Sequence, residues 1–121
     1  MTTPIEDGPE ALQWLRENRH EAALASNRFQ TTSEAVRFVE RLYEVGAVRV
    51  WVPQDSIIAD DEELIELGGP YSDTLFMELP EGGASDELEG IYRNEATIEG
   101  VDLRREPLPM IDGRYLVLWW D

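Results

Sequence analysis

The chain has 121 residues, with 26 acidic side chains, ten arginines, one histidine and no lysine, and a formal charge of −16. The length suits one domain, residues 1–121, with enough chain to build a core without staples. The anionic excess excludes a general binder of nucleic-acid backbone and disfavours anionic membrane surfaces, because both interactions need surplus cation.

Cysteine is absent, which removes disulfides, thiolate metal sites and a cysteine nucleophile. Residues Met1 to Gly8 lack the basic-then-apolar order of a secretory signal. The longest apolar run, Leu116 to Trp120, is far too short for a membrane span. A soluble, cytoplasmic protein is expected. High charge favours disorder, but a 42% hydrophobic content with four Trp, four Tyr and three Phe opposes it.

In chain order, residues 8–25 predict an N-terminal helix. Pro9 suits the first turn, Glu10 the positive end of the helix dipole, and Leu12, Leu15, Ala22 and Ala23 make a thin apolar stripe. Ser26 to Gln30 reads as a short strand. Thr31-Thr32-Ser33-Glu34 is a capping box, and Ala35, Phe38, Val39 and Leu42 keep helical spacing up to Gly46. Ala47 to Val52 alternates as a half-buried strand, ended by Pro53. Asp55 to Pro70 is an acidic connection, in which Asp60 to Leu67 can form a helical turn or two. Asp73 to Leu79 is another strand. Ser85 caps a helix that Gly100 stops, and Asp112-Gly113 turns the chain into a last strand, Arg114 to Trp120.

The predicted order is thus a helix followed by β-α-β-β-α-β over residues 26–121. That order implies an α+β domain of the ferredoxin-like, split β-α-β type, with a four-stranded antiparallel sheet. The strand period of two assigns its faces. Val48, Val50, Val52, Leu75, Met77, Leu79, Leu116 and Leu118 should face the core. Arg49, Trp51, Thr74, Phe76, Glu78, Tyr115, Val117 and Trp119 should lie on the other face. So much aromatic area is unusual on a solvated sheet. Either the N-terminal helix covers it, or it stays open for a partner or a second copy of the chain.

The chain contains no nucleophile elbow, Walker loop or dinucleotide-binding glycine pattern. His20 is expected to be a solvated surface residue, and with no second histidine or cysteine a zinc site is not assigned. The contiguous acids Asp60, Asp61, Glu62 and Glu63 lack the alternation and central glycine of a calcium loop, so they read as a solvated segment. Glu78, among aromatics, could have a raised pKa, but pairing with Arg49 or Arg28 is its more ordinary fate. No catalytic residue, metal or cofactor is assigned, and the balance leans away from an enzyme.

The resulting expectation is a small acidic protein-binding module, immunity- or inhibitor-like or regulatory. Asp55, Asp60, Asp61, Glu62, Glu63 and Glu66 would steer a basic protein partner. Arg28, Arg49, Trp51, Tyr71, Phe76, Glu78, Tyr115 and Trp119 would supply contacts. The alternative is a small-molecule-binding domain or small enzyme, with a pocket between the sheet and the N-terminal helix and Arg28, Arg49 and Glu78 as its polar groups. Self-association through the aromatic face is a third use of the same residues.

Overall fold

The computed structural model describes residues 7–26, 28–58, 66, 69–98, 110–111 and 113–120, without the side chains of residues 96–98. Among these residues it has helices α1 (Ala11–Glu17), α2 (Thr32–Glu44) and α3 (Asp86–Ile98). The strands are β1 (Arg49–Trp51), β2 (Thr74–Glu78) and β3 (Tyr115–Trp119). They form one antiparallel sheet in the order β1-β2-β3. The class is α+β, but the expected four-stranded ferredoxin-like sheet is corrected to three strands.

The missing strand is Ser26 to Gln30. Among the described residues, pairing in this region is a parallel bridge between Leu24 and Ser72. Ala25 then takes a positive φ of 42°. Its carbonyl accepts the N–H groups of both Arg28 and Phe29, each at 2.8 Å. That turn consumes main-chain groups that a strand would offer to a neighbour. It also sends Phe29 into the core, edge-on to Trp120 at 5.3 Å.

The N-terminal helix, expected over residues 8–25, is also shorter. Glu10 caps its start, accepting the N–H groups of Leu12 (3.0 Å) and Gln13 (2.8 Å). Asn18 leaves the helix, and its side chain offers the backbone an alternative set of bonds. It accepts the His20 N–H at 2.9 Å and donates to the Pro70 carbonyl at 2.8 Å. His20 is not the solvated residue expected. It is 8% exposed, and its Nδ1 accepts the Ala22 N–H at 2.9 Å. Thr32 Oγ1 donates to the His20 carbonyl and accepts the Ala23 N–H, fastening this strap to the start of α2.

α2 follows its sequence signals. Thr31 Oγ1 accepts the Glu34 N–H at 3.1 Å, and Glu34 reaches back to the Gln30 N–H at 3.3 Å. Gly46 follows the helix with φ 117°, a conformation L-residues resist. Ser85 caps α3, accepting the Leu88 N–H at 3.1 Å while donating to the Val45 carbonyl at 2.6 Å. Of the expected Asp60–Leu67 turns, Glu66 alone is described, in helical conformation, and the Gly100 stop and Asp112 fall outside the described residues.

One core lies on one side of the sheet. Val50, Leu75, Met77, Leu116 and Leu118 meet Ala11 and Leu15 of α1, Val39 and Leu42 of α2, and Leu88 and Tyr92 of α3. Each fully buried Leu or Met contributes roughly 1.5–3 kcal/mol. Val48, expected in this set, lies just before β1 and is 54% exposed.

The two sheet edges differ. At β1, the Val50 N–H donates to the Tyr43 hydroxyl at 3.0 Å, and the Val52 N–H to the Pro9 carbonyl at 3.0 Å. Glu10 forms a bridge with Trp51. The segment lies so close that a side chain at Gly8 would collide with the Val52 carbonyl. At β3, Leu79 N–H bonds the Arg114 carbonyl and Trp120 N–H the Asp73 carbonyl. By the alternation of an antiparallel ladder, Leu116 and Leu118 then turn their main-chain groups toward β2. Tyr115, Val117 and Trp119 turn theirs outward. Tyr115 exchanges both its bonds with Ile111, at 2.8 and 3.0 Å. No described residue pairs with the outward groups of Val117 and Trp119.

Burial pushes the Tyr43 hydroxyl up to about 12, so it stays protonated and donates to Glu10 at 2.8 Å. Partial burial alone would raise the Glu10 carboxyl. The hydrogen bonds from Leu12, Gln13 and Tyr43 outweigh that and leave it below its ordinary 4.5. A lowered carboxylate contributes stability above its unfolded pKa and loses it as pH falls through the folded value. Glu10→Gln should therefore be about 1 kcal/mol less stable than the parent at pH 7. The difference should close below the ordinary glutamate value. Urea unfolding at neutral and acid pH measures both; a gap that persists in acid would contradict the assignment.

Candidate functional site

The second sheet face is built by the register of the strands. Trp51 lies opposite Phe76, which lies opposite Val117. Thr74 faces Trp119, and Glu78 sits between Arg49 and Tyr115. α1 does not cover this face: it packs against α2 and β1, with Ala11 and Leu15 in the core on the other side.

Trp51 is the floor of the face, only 2% exposed. Phe76 and Tyr115 meet its ring edge-on, with centroids 5.8 and 6.0 Å away. The Arg49 guanidinium sits 4.5 Å above it. Such edge-on and cation–π contacts fix ring orientation and each add about 1 kcal/mol. Phe76, Tyr115 and Val117 are half-buried. Trp119 stands out at 58% exposure, steadied by a 3.3 Å bond from its indole N–H to Asp73.

One end of the face is charged and paired. Arg49 bonds Asp7 and the Gly8 carbonyl, and the Arg49 hydrogen bond is the main cause holding the exposed Asp7 carboxyl below its usual range. Glu78 pairs with Arg114, not with Arg49 or Arg28 as expected. Arg114 also lies 5.6 Å above the Tyr115 ring. These pairs hold both arginines beside aromatic rings, while the exposure of Asp7 in one pair and of Arg114 in the other lets solvent screen them, so they contribute little to stability.

Four sequence-chosen residues, Arg28, Tyr71, Asp55 and Glu66, lie elsewhere. Arg28 forms a two-pronged pair with Glu95, at 2.7 and 3.0 Å, which raises its already high pKa. Glu95 is 3% exposed and also accepts the Trp120 indole N–H at 3.0 Å. Arg28, Arg49 and Glu78 therefore each bind a different partner and do not line one pocket. Tyr71 accepts the Ser26 N–H at 3.0 Å, and its main chain pairs with Ile58. Asp55 is exposed in a short 3-10 turn, and Glu66 is exposed. Asp60, Asp61, Glu62 and Glu63 lie outside the described residues.

Compared with known protein families, curated proteins and solved structures, the chain matches none. What the face can do is therefore read from its chemistry. Among the described residues no cluster of His, Asp and Glu could hold a metal ion, and no helix is long and apolar enough to cross a membrane. A cleft of about 840 Å³ opens between the end of α1 and the start of α2. Its polar lining is largely spent on the fold: Asn18 binds Pro70, Thr31 caps α2, and Thr32 binds His20. The aromatic face offers instead one large exposed ring on a rigid floor of others, with paired arginines at one end. Aromatic and arginine side chains are the types that dominate the energetics of protein contacts in general.

Proposed function

We propose that the chain is a small acidic protein-binding module, inhibitor-like or regulatory, that docks a basic protein through its aromatic sheet face. The observation that carries this reading is Trp119, 58% exposed on a sheet face whose neighbouring rings are held in place by the strands. Holding the rings beforehand reduces the ordering cost of association. The charge of −16 supplies long-range attraction to a cationic partner and speeds encounter. The acids on the connections and helix exteriors steer, and the rings anchor. Lack of cysteine fits the reducing cytoplasm, where we place the protein.

The test is capture of partners from the native cell at low salt, run in parallel with Trp119→Ala. A genuine partner binds the parent, weakens as salt rises, and loses roughly tenfold or more in affinity to Trp119→Ala. Because Trp119 is exposed, that variant should keep its stability within about 0.5 kcal/mol. Partners retained equally by Trp119→Ala, or insensitive to salt, would count against the proposal.

A further inference from the structure

We propose that Trp119 and Asp73 form a receptor for an arginine side chain, supplied by the basic partner, which stacks on the exposed ring and pairs with the carboxylate. The inference rests on the partner reading above and gives the contact a chemical class. Its starting point is an arrangement that the chain already builds for its own arginines. Arg28 lies 4.9 Å from the centre of the Phe29 ring and bonds Glu95. Arg49 lies 4.5 Å from the centre of the Trp51 ring and bonds Asp7. Arg114 lies 5.6 Å from the centre of the Tyr115 ring and bonds Glu78. In each case a guanidinium touches both a ring face and a carboxylate. At the opposite end of the sheet face from Arg49 and Arg114, Trp119 and Asp73 supply a ring and a carboxylate again. The indole N–H donates to Asp73 Oδ2 at 3.3 Å, and the ring is 58% exposed. Among the described residues, no guanidinium lies over it.

The carboxylate is held ready by its neighbours. Thr74 Oγ1 donates to Asp73 Oδ1 at 2.8 Å, while Oδ2 takes the indole. The Asp73 carbonyl accepts the Trp120 N–H at 3.1 Å, which ties its backbone to the end of β3. An ionised carboxylate has about four acceptor positions, so each oxygen keeps one for an incoming donor. An indole N–H lies in the plane of its ring. The bonded carboxylate therefore sits at the ring edge and leaves the exposed face clear. A guanidinium is planar and weakly hydrated: it can lie on that face and extend its N–H groups past the edge to Asp73. An ammonium is a strongly hydrated point charge and gains less from the same site. An apolar side chain would cover the ring but desolvate Asp73 without replacing its water. An acidic one would meet both Asp73 and the field of a chain at −16. Charge and shape thus select arginine.

The test follows the Trp119 indole N–H resonance of the nitrogen-15-labelled full chain, assigned by its loss in Trp119→Phe. The probes are three blocked tripeptides with alanine at both ends and arginine, lysine or citrulline in the middle. Citrulline keeps the planar shape of arginine without its charge. The arginine peptide should move the resonance and saturate in the millimolar range, about threefold tighter than lysine and about tenfold tighter than citrulline. Raising salt from about 0.01 M to about 1 M should weaken it severalfold. Asp73→Asn keeps an acceptor for the indole and removes the charge, and should weaken arginine about fivefold. Trp119→Leu keeps Asp73 and removes the ring; followed at the Thr74 amide, it should lose the peptide as well. An unmoved resonance, citrulline binding as tightly as arginine, or Asp73→Asn binding as tightly as the parent would each overturn the proposal. So would a resonance that shifts with the concentration of the chain itself before peptide is added, which would assign the ring to a second copy. If the arginine peptide is inert while Trp119→Ala still loses a partner captured from the cell, the receptor falls and the partner reading stands. If the peptide binds as expected and no salt-sensitive partner is captured, the receptor stands and the partner reading falls.

Discussion

Glu95→Ala is expected to lower folding stability by about 3 kcal/mol, one of the two largest effects of any single change proposed for this protein. Glu95 is 3% exposed and accepts three hydrogen bonds, two from Arg28 and one from the Trp120 indole. Removing it strands the indole N–H in the core. It also leaves Arg28, whose side chain is 31% exposed, to find water. That access keeps the cost at the lower end for a broken buried pair. Glu95→Gln retains an acceptor for Trp120 and should cost less than Glu95→Ala. Arg28→Ala, combined with Glu95→Ala in a double-mutant cycle, should show a coupling of more than about 1 kcal/mol. Urea unfolding supplies each number, and a loss below about 1 kcal/mol for Glu95→Ala would mean that the pair is not a stabilising element.

Trp51→Ala should cost about 3–5 kcal/mol, although Trp51 lies on the same sheet face as Trp119. Its ring is almost wholly buried, with Phe76 and Tyr115 edge-on and Arg49 above. Deleting it opens a cavity that the pleated backbone cannot collapse to fill. The comparison with Trp119→Ala separates two roles that one residue type plays on one surface. Loss at Trp51 should appear as unfolding at lower urea concentration, and loss at Trp119 as weaker partner capture with unfolding unchanged. Equal stability losses at the two sites would show that Trp119 is packed by the fold, leaving nothing for a partner to cover.

The contrast also marks what could be read from the chain. Alternation alone placed Trp51, Phe76, Tyr115 and Trp119 on one face, because a period of two is a local property of any strand. The same reasoning carried the Thr31 cap and the stop at Gly46, where residue type and backbone conformation are tied together. It could not tell Trp51 from Trp119, since depth depends on neighbouring strands. The failure at Ser26–Gln30 has a similar origin. The turn there depends on Ala25 bonding Ser72, and on Phe29 finding Trp120, both remote in sequence. Likewise the helix ends at Asn18 because its amide reaches Pro70, 52 residues away. Glu95 gave no signal at all: it was one of 26 acids, on a helix with several others. Only its distance to Arg28, 67 residues earlier, distinguishes it.

The Tyr43 hydroxyl and the Asp7–Glu10 segment close the β1 edge, and this sets a limit on growth. A sheet that can accept a strand on both sides has no natural stopping point, and copies of it can stack side by side into fibres. Here the β1 side is already finished, so a second sheet cannot extend the molecule from that edge. A tyrosine hydroxyl and a four-residue segment thus guard this side of the sheet against open-ended growth.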